Sequence, residues 1–406
     1  MLKRKVAIFT GNRAEYGLLY SLMREIKTSS HFSLDLIVTG GHLDVNFGNT
    51  IEEIKSDGFD ISSIVDLEYT KGASTEVSQA ISSCIHGMSE VLGTLKPDIL
   101  VVYADRFEGF GAVIAASQMN IPVAHVEGGD LTEGGALDDS VRHAMTKLSH
   151  VHFPTNSQAR NRILAMGEES WRVLNVGFPG LDGLALNDLA SESSVLDFLN
   201  FTSDDSIVLF TQHSITTEPH KASSQVRESL LAIERLLLEG VQVVATYPNN
   251  DWGGDDIVRE LLEFESKRHV NFRLIPSLGR RRYHGVLNLA LNGNYRVACV
   301  GNSSSGLKET PAFRCPTVNI GERQKGRLSG DNVIHCSNHV DLIYNSVKTC
   351  LYDEDHRQVC NNVTNPYGVG NAGKKMHDYL RDMPLGDQLL KKKMTLSGLE
   401  NEGWFK

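Results

Sequence analysis

Short apolar runs recur along the first half of the chain: KVAIFT, LDLIVTG, DILVVYA and IPVAHVE, each followed by a longer stretch whose apolar residues return every three to four positions. Runs apolar throughout suit strands buried on both faces, and the spaced stretches suit helices that cover them. The pattern therefore predicts a parallel sheet with helices on both sides. SHVHFPT and RVLNVG extend the series as two further strands, with SQARNRILAMG as the helix between them. From about 182 to 205 the chain turns polar and turn-rich around one short helix, LDGLALNDLASESSVLDFLNFTSDD, which reads as a linker. The pattern then restarts, with SIVLFTQH, VQVVATYP, VNFRLIP, YRVACVG and CPTVNIG as strands and SSQVRESLLAIERLLLEG among the helices. Two doubly wound α/β domains are expected. After Pro384, LGDQLLKKKMTLSGLENEGWFK reads as an appended helix or a frayed end.

Length agrees with two domains, since 406 residues exceed the usual single-domain size. A formal net charge of −10 disfavours nucleic acid or an anionic membrane as the main partner. The six cysteines show no CxxC pair, so reduced, packed thiols are expected. No apolar stretch reaches eighteen residues, and the opening apolar run stops at Gly11, so the sequence reads as a cytoplasmic protein without a membrane span.

Ligands of open α/β sheets bind beyond the carboxyl ends of the strands, and the candidate chemistry gathers there. FTGNRAEYG ends a strand, turns at glycine and starts a helix near Ala14, with Arg13 beside the turn. Helix-start N–H groups and a guanidinium together make a phosphate seat; the plain alternative is a tight turn with an exposed arginine. It lacks the G-x-G-x-x-G of a dinucleotide fold and the lysine of an ATPase loop. VGNSSSGLKETPAF repeats the design in the second half: Ser303, Ser304 and Ser305 offer hydroxyls, and Glu309 suits a ribose diol or merely a helix start. LFTQHSITTE places His213 after a strand, where its imidazole could serve a phosphate or a leaving group, or be structural. GERQKGR adds Arg323, Gln324 and Arg327, or a solvated basic loop.

Acids cluster in HVEGGDLTEGGALDDSVRH: Glu127, Asp130, Glu133, Asp138 and Asp139 stand among four glycines. Their spacing is not that of a calcium loop, so a metal cage is the weaker reading. Asp138 and Asp139 with Arg142 and His143 also fit helix-end electrostatics and same-face pairing. For Glu127 and Asp138 an acid–base role is preferred, with Gly128 and Gly129 leaving room for a sugar ring. VVYADRFEG puts Asp105 and Arg106 past a neighbouring strand, so Asp105 and Glu127 are expected to face one pocket. Acids sharing a pocket repel, and at least one raised pKa is expected there.

Taken together, TGNRAEYGLL, YADRFE, HVEGGD, LDDSVRHAMTKLSH, TYPNND, GNSSSGLKE, GERQKGR and GDNVIH, in that order, resemble the hydrolysing UDP-N-acetylglucosamine 2-epimerases over about residues 5 to 380. That branch releases N-acetylmannosamine and UDP for sialic-acid-type synthesis. The resemblance implies two Rossmann-like domains in a glycosyltransferase B type architecture with a cleft between them. It divides the chain into 1–185 with the catalytic carboxylates, 200–368 for UDP, a helix over 369–384 crossing back to the first domain, and a tail over 385–406. It implies catalytic roles for Asp105, Glu127, Asp138 and His213. UDP contacts fall on Arg13, Gly17, Arg106, Asn249, Ser303, Ser304, Glu309, Arg323 and Arg327, with Asp130, Asp139 and Arg142 as secondary candidates. No metal and no cofactor is expected, and a homodimer or homotetramer is implied.

The C2 hydrogen of such a sugar is not next to a carbonyl, so diphosphate departure must lead. A carboxylate then takes the C2 proton to give a glycal, and water adds while a proton reaches the opposite face of C2. Two departures from the family pattern border the sugar: the 127–139 loop is about two residues longer, with Asp130 where glutamate is frequent, and Ser214 follows His213 where proline is usual. They leave open UDP-2,4-diacetamido-2,4,6-trideoxyglucose, of the legionaminic acid route, as the substrate. A retaining glycosyltransferase and a non-catalytic nucleotide-sugar sensor are the more distant alternatives.

Overall fold

The structure, a computed structural model, describes residues 3–43, 50–70, 75–131, 137–202, 206–215, 217–249 and 252–396. Among the described residues six strands form in the first half: β1 (Arg4–Thr10), β2 (Phe32–Thr39), β3 (Ile61–Val65), β4 (Ile99–Tyr103), β5 (Val123–Val126) and β6 (Val151–Phe153). Six more follow: β7 (Ile207–Thr211), β8 (Gln242–Thr246), β9 (Phe272–Ile275), β10 (Val297–Gly301), β11 (Thr317–Ile320) and β12 (Val333–Cys336). They make two sheets, ordered β3-β2-β1-β4-β5-β6 and β12-β11-β10-β7-β8-β9. Every pairing is parallel. Each sheet is a doubly wound, Rossmann-like one, and the direction of winding reverses between β1 and β4 and between β7 and β10. Such a reversal opens a crevice at the strands' carboxyl ends.

The central strands are apolar and buried on both faces, as in VAIF of β1 and IVLF of β7. Apolar clusters lie on either face of each sheet. The edges differ from the sequence pattern. RVLNVG contributes only an isolated bridge, Val173 to His152. The sixth strand of the first sheet is instead β3, whose ISSIV carries two serines. β12 is likewise only partly buried. An edge strand has one paired side and an uncovered flank, so nothing compels an unbroken apolar run.

One unit holds the described residues up to Leu131, then Leu137–Asp182 and those from Gly370 on; the other holds Gly183–Val369. The helix Ala372–Asp382 packs Ala372, Met376 and Leu380 into the core that also holds Leu19 and Leu22 of the helix Arg13–Thr28. Asp182 caps it, accepting from the N–H groups of Ala372 and Gly373 at 2.8 and 2.7 Å. The segment read as a linker is built into the second unit, because its helix Glu192–Leu199 buries Val195 and Leu199 in that unit's core.

Through Leu396 the tail is anchored on the first unit. Arg172 donates to the carbonyls of Leu389 and Gln388 at 2.7 and 3.1 Å. Lys392 donates to that of Ser149 at 2.6 Å. All six cysteines are free thiols, and all but Cys336 are buried. Among the described residues no helix is long and apolar enough to cross a membrane.

Candidate active site

The two winding reversals collect most of the residues singled out in the sequence. At the second, β10 ends in Gly301 with φ +135°, where a Cβ would lie 1.8 Å from the carbonyl oxygen of Thr211. Only glycine lets β10 run this close to the end of β7. The next residue, Asn302, and His213 then exchange two hydrogen bonds. The His213 N–H donates to Asn302 Oδ1 at 2.6 Å, and Asn302 Nδ2 donates to the His213 carbonyl at 2.9 Å. Asn302 also gathers the 321–327 loop, since its carbonyl accepts from Arg323 at 3.1 Å and from Gln324 at 2.8 Å. Arg327 turns to Gln324 Oε1 at 2.7 Å.

His213 departs from its sequence expectation. The Asn249 N–H donates to its Nδ1 at 2.9 Å, so in the neutral ring the proton sits on Nε2. Burial, then the charge of Arg323, push its pKa well below the ordinary value. It is therefore a neutral hydrogen-bond donor rather than a proton source poised near working pH. Ser303 and Ser304 are half-buried; Ser303 Oγ accepts from the Ser305 N–H at 3.4 Å. The helix they begin is only Ser305–Lys308, a single turn, so its dipole is smaller than the sequence suggested. Glu309 ends that turn and receives Nε2 of the buried His284 at 2.5 Å.

At the first reversal Arg13 pairs with Glu53 at 2.9 Å. Gly17 lies a turn into the helix, and a Cβ there would meet nothing within 4 Å, so no contact demands a glycine. Arg106 folds back onto Glu108, with Nε at 3.2 Å and Nη2 at 3.3 Å from its carboxylate oxygens. Glu15 lies next to them, buried, with Oε2 accepting from the Gly11 N–H at 2.7 Å. Burial and then the charge of Glu108 raise its pKa to about 7. This raised carboxyl lies outside the acidic loop, at a residue its sequence context did not mark out.

β4 and β5 bring Asp105 and Glu127 to adjacent strand ends, where the Ala104 N–H donates to the Val126 carbonyl at 2.9 Å. Arg142, itself buried, binds the Asp105 carboxylate through Nη2. Its Nη1 reaches Asp139 at 2.7 Å and the Asp130 carbonyl at 2.9 Å. One guanidinium so ties Asp105, Asp130 and Asp139 together. Asp138 stands half-buried beside Asp139 in the first turn of the helix Leu137–Leu148. Glu127, buried and at φ +62°, accepts a hydrogen bond from the Tyr103 hydroxyl. The glycines after it are not space for a sugar. A Cβ on Gly128 would come within 2.8 Å of His125 Nδ1 and Thr146 Oγ1, and one on Gly129 within 2.5 Å of the Ala159 carbonyl. Close backbone packing requires both. Glu133 lies outside the described residues. Among the described residues no three histidine, cysteine or acidic side chains are grouped to hold a metal ion.

The sequence profile of a family described as UDP-N-acetylglucosamine 2-epimerase matches residues 24–381. The UDP-N,N'-diacetylbacillosamine 2-epimerase (hydrolyzing) of Legionella pneumophila is 33% identical over 389 residues, covering 96% of this chain and 98% of its own. The GDP/UDP-N,N'-diacetylbacillosamine 2-epimerase (hydrolyzing) of Campylobacter jejuni is 32% identical over 82% of this chain and 84% of its own. The crystal structure of UDP-GlcNAc 2-epimerase from Neisseria meningitidis bound to UDP-GlcNAc shares the fold, with a TM-score of 0.75 and 18% identity, over 93% of this chain and 99% of that one.

Proposed function

The chain belongs to the UDP-N-acetylglucosamine 2-epimerase family, and from that premise we propose that this enzyme, a hydrolysing UDP-sugar 2-epimerase, acts on UDP-2,4-diacetamido-2,4,6-trideoxyglucose. The products are UDP and 2,4-diacetamido-2,4,6-trideoxymannose. The observation that carries the choice of sugar is the near end-to-end likeness, at 33% identity, to an enzyme named for UDP-N,N'-diacetylbacillosamine, which is this same sugar nucleotide. The longer acidic loop and Ser214 after His213, two departures from the usual family pattern, leave room for this choice. UDP-N-acetylglucosamine is the second reading, favoured by the family the profile describes.

In the reaction, the C1–O bond breaks with its electron pair leaving on UDP. Nε2–H of His213 and the guanidinium of Arg13 are assigned to the growing phosphate charge, and Glu309, held by His284, to the ribose diol. A carboxylate among Asp105, Glu127 and Asp138 removes the C2 proton to give the glycal. Water then bonds to C1 while a proton enters C2 from the other face, so no net oxidation occurs. Turnover of the two UDP-sugars side by side tests the proposal. A kcat/KM at least tenfold higher for the diacetamido sugar is expected, and parity or the reverse order overturns the choice. In deuterated water the product is expected to carry deuterium at C2, and a product without it excludes the glycal route.

A further inference from the structure

Two buried carboxyls flank the turn at the end of β1, and the reaction above uses neither. Glu15 and Glu108 are 4% and 3% exposed. A Cβ built on Gly11 would lie 3.5 Å from Glu15 Oε2 and 3.4 Å from Glu108 Cβ, so both acids press on one residue of the turn. Glu108 has its own cation, Arg106. Glu15 is held through Oε2 by the Gly11 N–H, whereas Oε1 is buried without a hydrogen-bond partner. A buried carboxylate oxygen lacking a donor is costly, and a bound proton removes the cost.

The groups facing this pair come from three elements. From the turn after β4 comes Arg106, which precedes the helix Phe107–Gln118 that carries Glu108. Cys84, on the helix Glu76–Leu95, donates to the Glu108 carbonyl at 3.2 Å. From the turn after β2 comes His42, whose ring bonds Thr10 and Thr50 at 2.9 and 2.7 Å and which burial keeps neutral, with its pKa down at about 4. On the helix of Glu15 itself, Arg13 is engaged with Glu53. The Arg106 guanidinium is thus shared by two carboxyls: it pairs with Glu108 and also favours the charged form of Glu15, but burial and the charge of Glu108 outweigh it there.

We propose that Glu15 is a positioning residue for the substrate's diphosphate: protonated, it holds the Gly11–Arg13 turn ready for the anion, and on losing its proton it repels it. The inference rests on reading Gly11–Arg13 as the phosphate seat. Burial and the neighbouring Glu108 put the midpoint at about 7.

Steady-state kinetics of the full chain and of Glu15→Gln from pH 6 to 9 test it, together with UDP titration calorimetry in buffers of different ionisation enthalpy. For the unaltered chain KM is expected to rise about tenfold across this range while kcat changes much less. Glu15→Gln, a neutral isostere, is expected to lose the rise. Because linkage is reciprocal, UDP binding to the unaltered chain at pH 8 is expected to take up a fraction of a proton. A flat KM in the unaltered chain, the same rise in Glu15→Gln, or no proton uptake at pH 8 overturns the inference; the last serves even if the variant does not fold. Arg13→Ala separates the two layers. If it fails to weaken UDP binding, the phosphate-seat reading falls and the inference with it. If it weakens binding while Glu15→Gln follows the unaltered chain, the role of Glu15 alone is refuted.

Discussion

At the scale of single residues, the site's second layer is made by partners far apart in sequence. Glu309 stands out in GNSSSGLKE, but its donor His284 is 25 positions upstream on the helix Gly279–Leu291, inside an unremarkable basic stretch. Asn302 sits within the quoted motif, yet its role as the knot joining His213, Arg323 and Gln324 depends on three loops meeting. Tyr103 reads as one more apolar strand residue until the register of β4 and β5 sets it beside Glu127. Residue types near strand ends were therefore legible, whereas the side chains that orient them were not, because pairing is a property of the folded sheet. His284 gives this a measurable form. His284→Leu removes the donor to Glu309 and is expected to raise KM for the UDP-sugar by about five- to thirtyfold, about 1–2 kcal/mol, with kcat within about twofold. His284→Gln, which keeps an N–H donor at similar reach, is expected to recover most of the loss. Equal KM values for the two variants would argue for packing rather than orientation.

At the scale of elements, the central strands announced themselves by unbroken burial, and the edges did not. β3 carries Ser62 and Ser63, and RVLNVG, more strand-like in composition, remains outside the sheet except for one bridge. The tail was equally opaque, since its anchoring depends on charge rather than on apolar period. Its key is the buried Glu168, which meets Lys147 at 2.5 Å, Lys392 at 2.9 Å and Nε2 of His152 at 3.1 Å. Burial alone would raise this carboxyl, but the hydrogen bond from His152 and the two ammonium groups bring it from 4.5 down to about 2. A depressed carboxylate pKa contributes stability that is present above the unfolded value and lost as pH falls through the folded one. Glu168 is therefore expected to contribute on the order of 3 kcal/mol at neutral pH, and to lose it between pH 4.5 and about 2. Hydrogen exchange at the Thr395 N–H, bonded to the Gly167 carbonyl at 2.9 Å, reports the latch directly. Its protection is expected to drop over that window, and in Glu168→Gln to be low at neutral pH as well. Protection that stays constant to pH 2 would show that the tail is held by other means.

At the scale of the whole chain, the two units are wound alike but completed differently. Among the described residues the second draws only on Gly183–Val369, and both faces of its sheet are covered by its own helices. The first borrows from the end of the chain: Ala372, Met376, Leu380, Met383 and Leu389 are all buried in the cluster formed around Leu19, Leu22 and Phe32. At about 1.5–3 kcal/mol for each large apolar side chain, their removal costs on the order of 5–10 kcal/mol, as much as a domain's whole stability. It also strips Asp182 of the two backbone donors it caps and Arg172 of its carbonyl partners. A chain ending at Val369 is therefore expected to keep the second unit folded and the first unfolded. In calorimetry it should lose one cooperative transition and retain the other, and UDP-sugar turnover should be abolished because the carboxylates of the first unit are no longer held. Adding residues 370–396 back is expected to restore both. If the shortened chain still showed both transitions, the terminal helix would be an accessory to the first core and not a part of it.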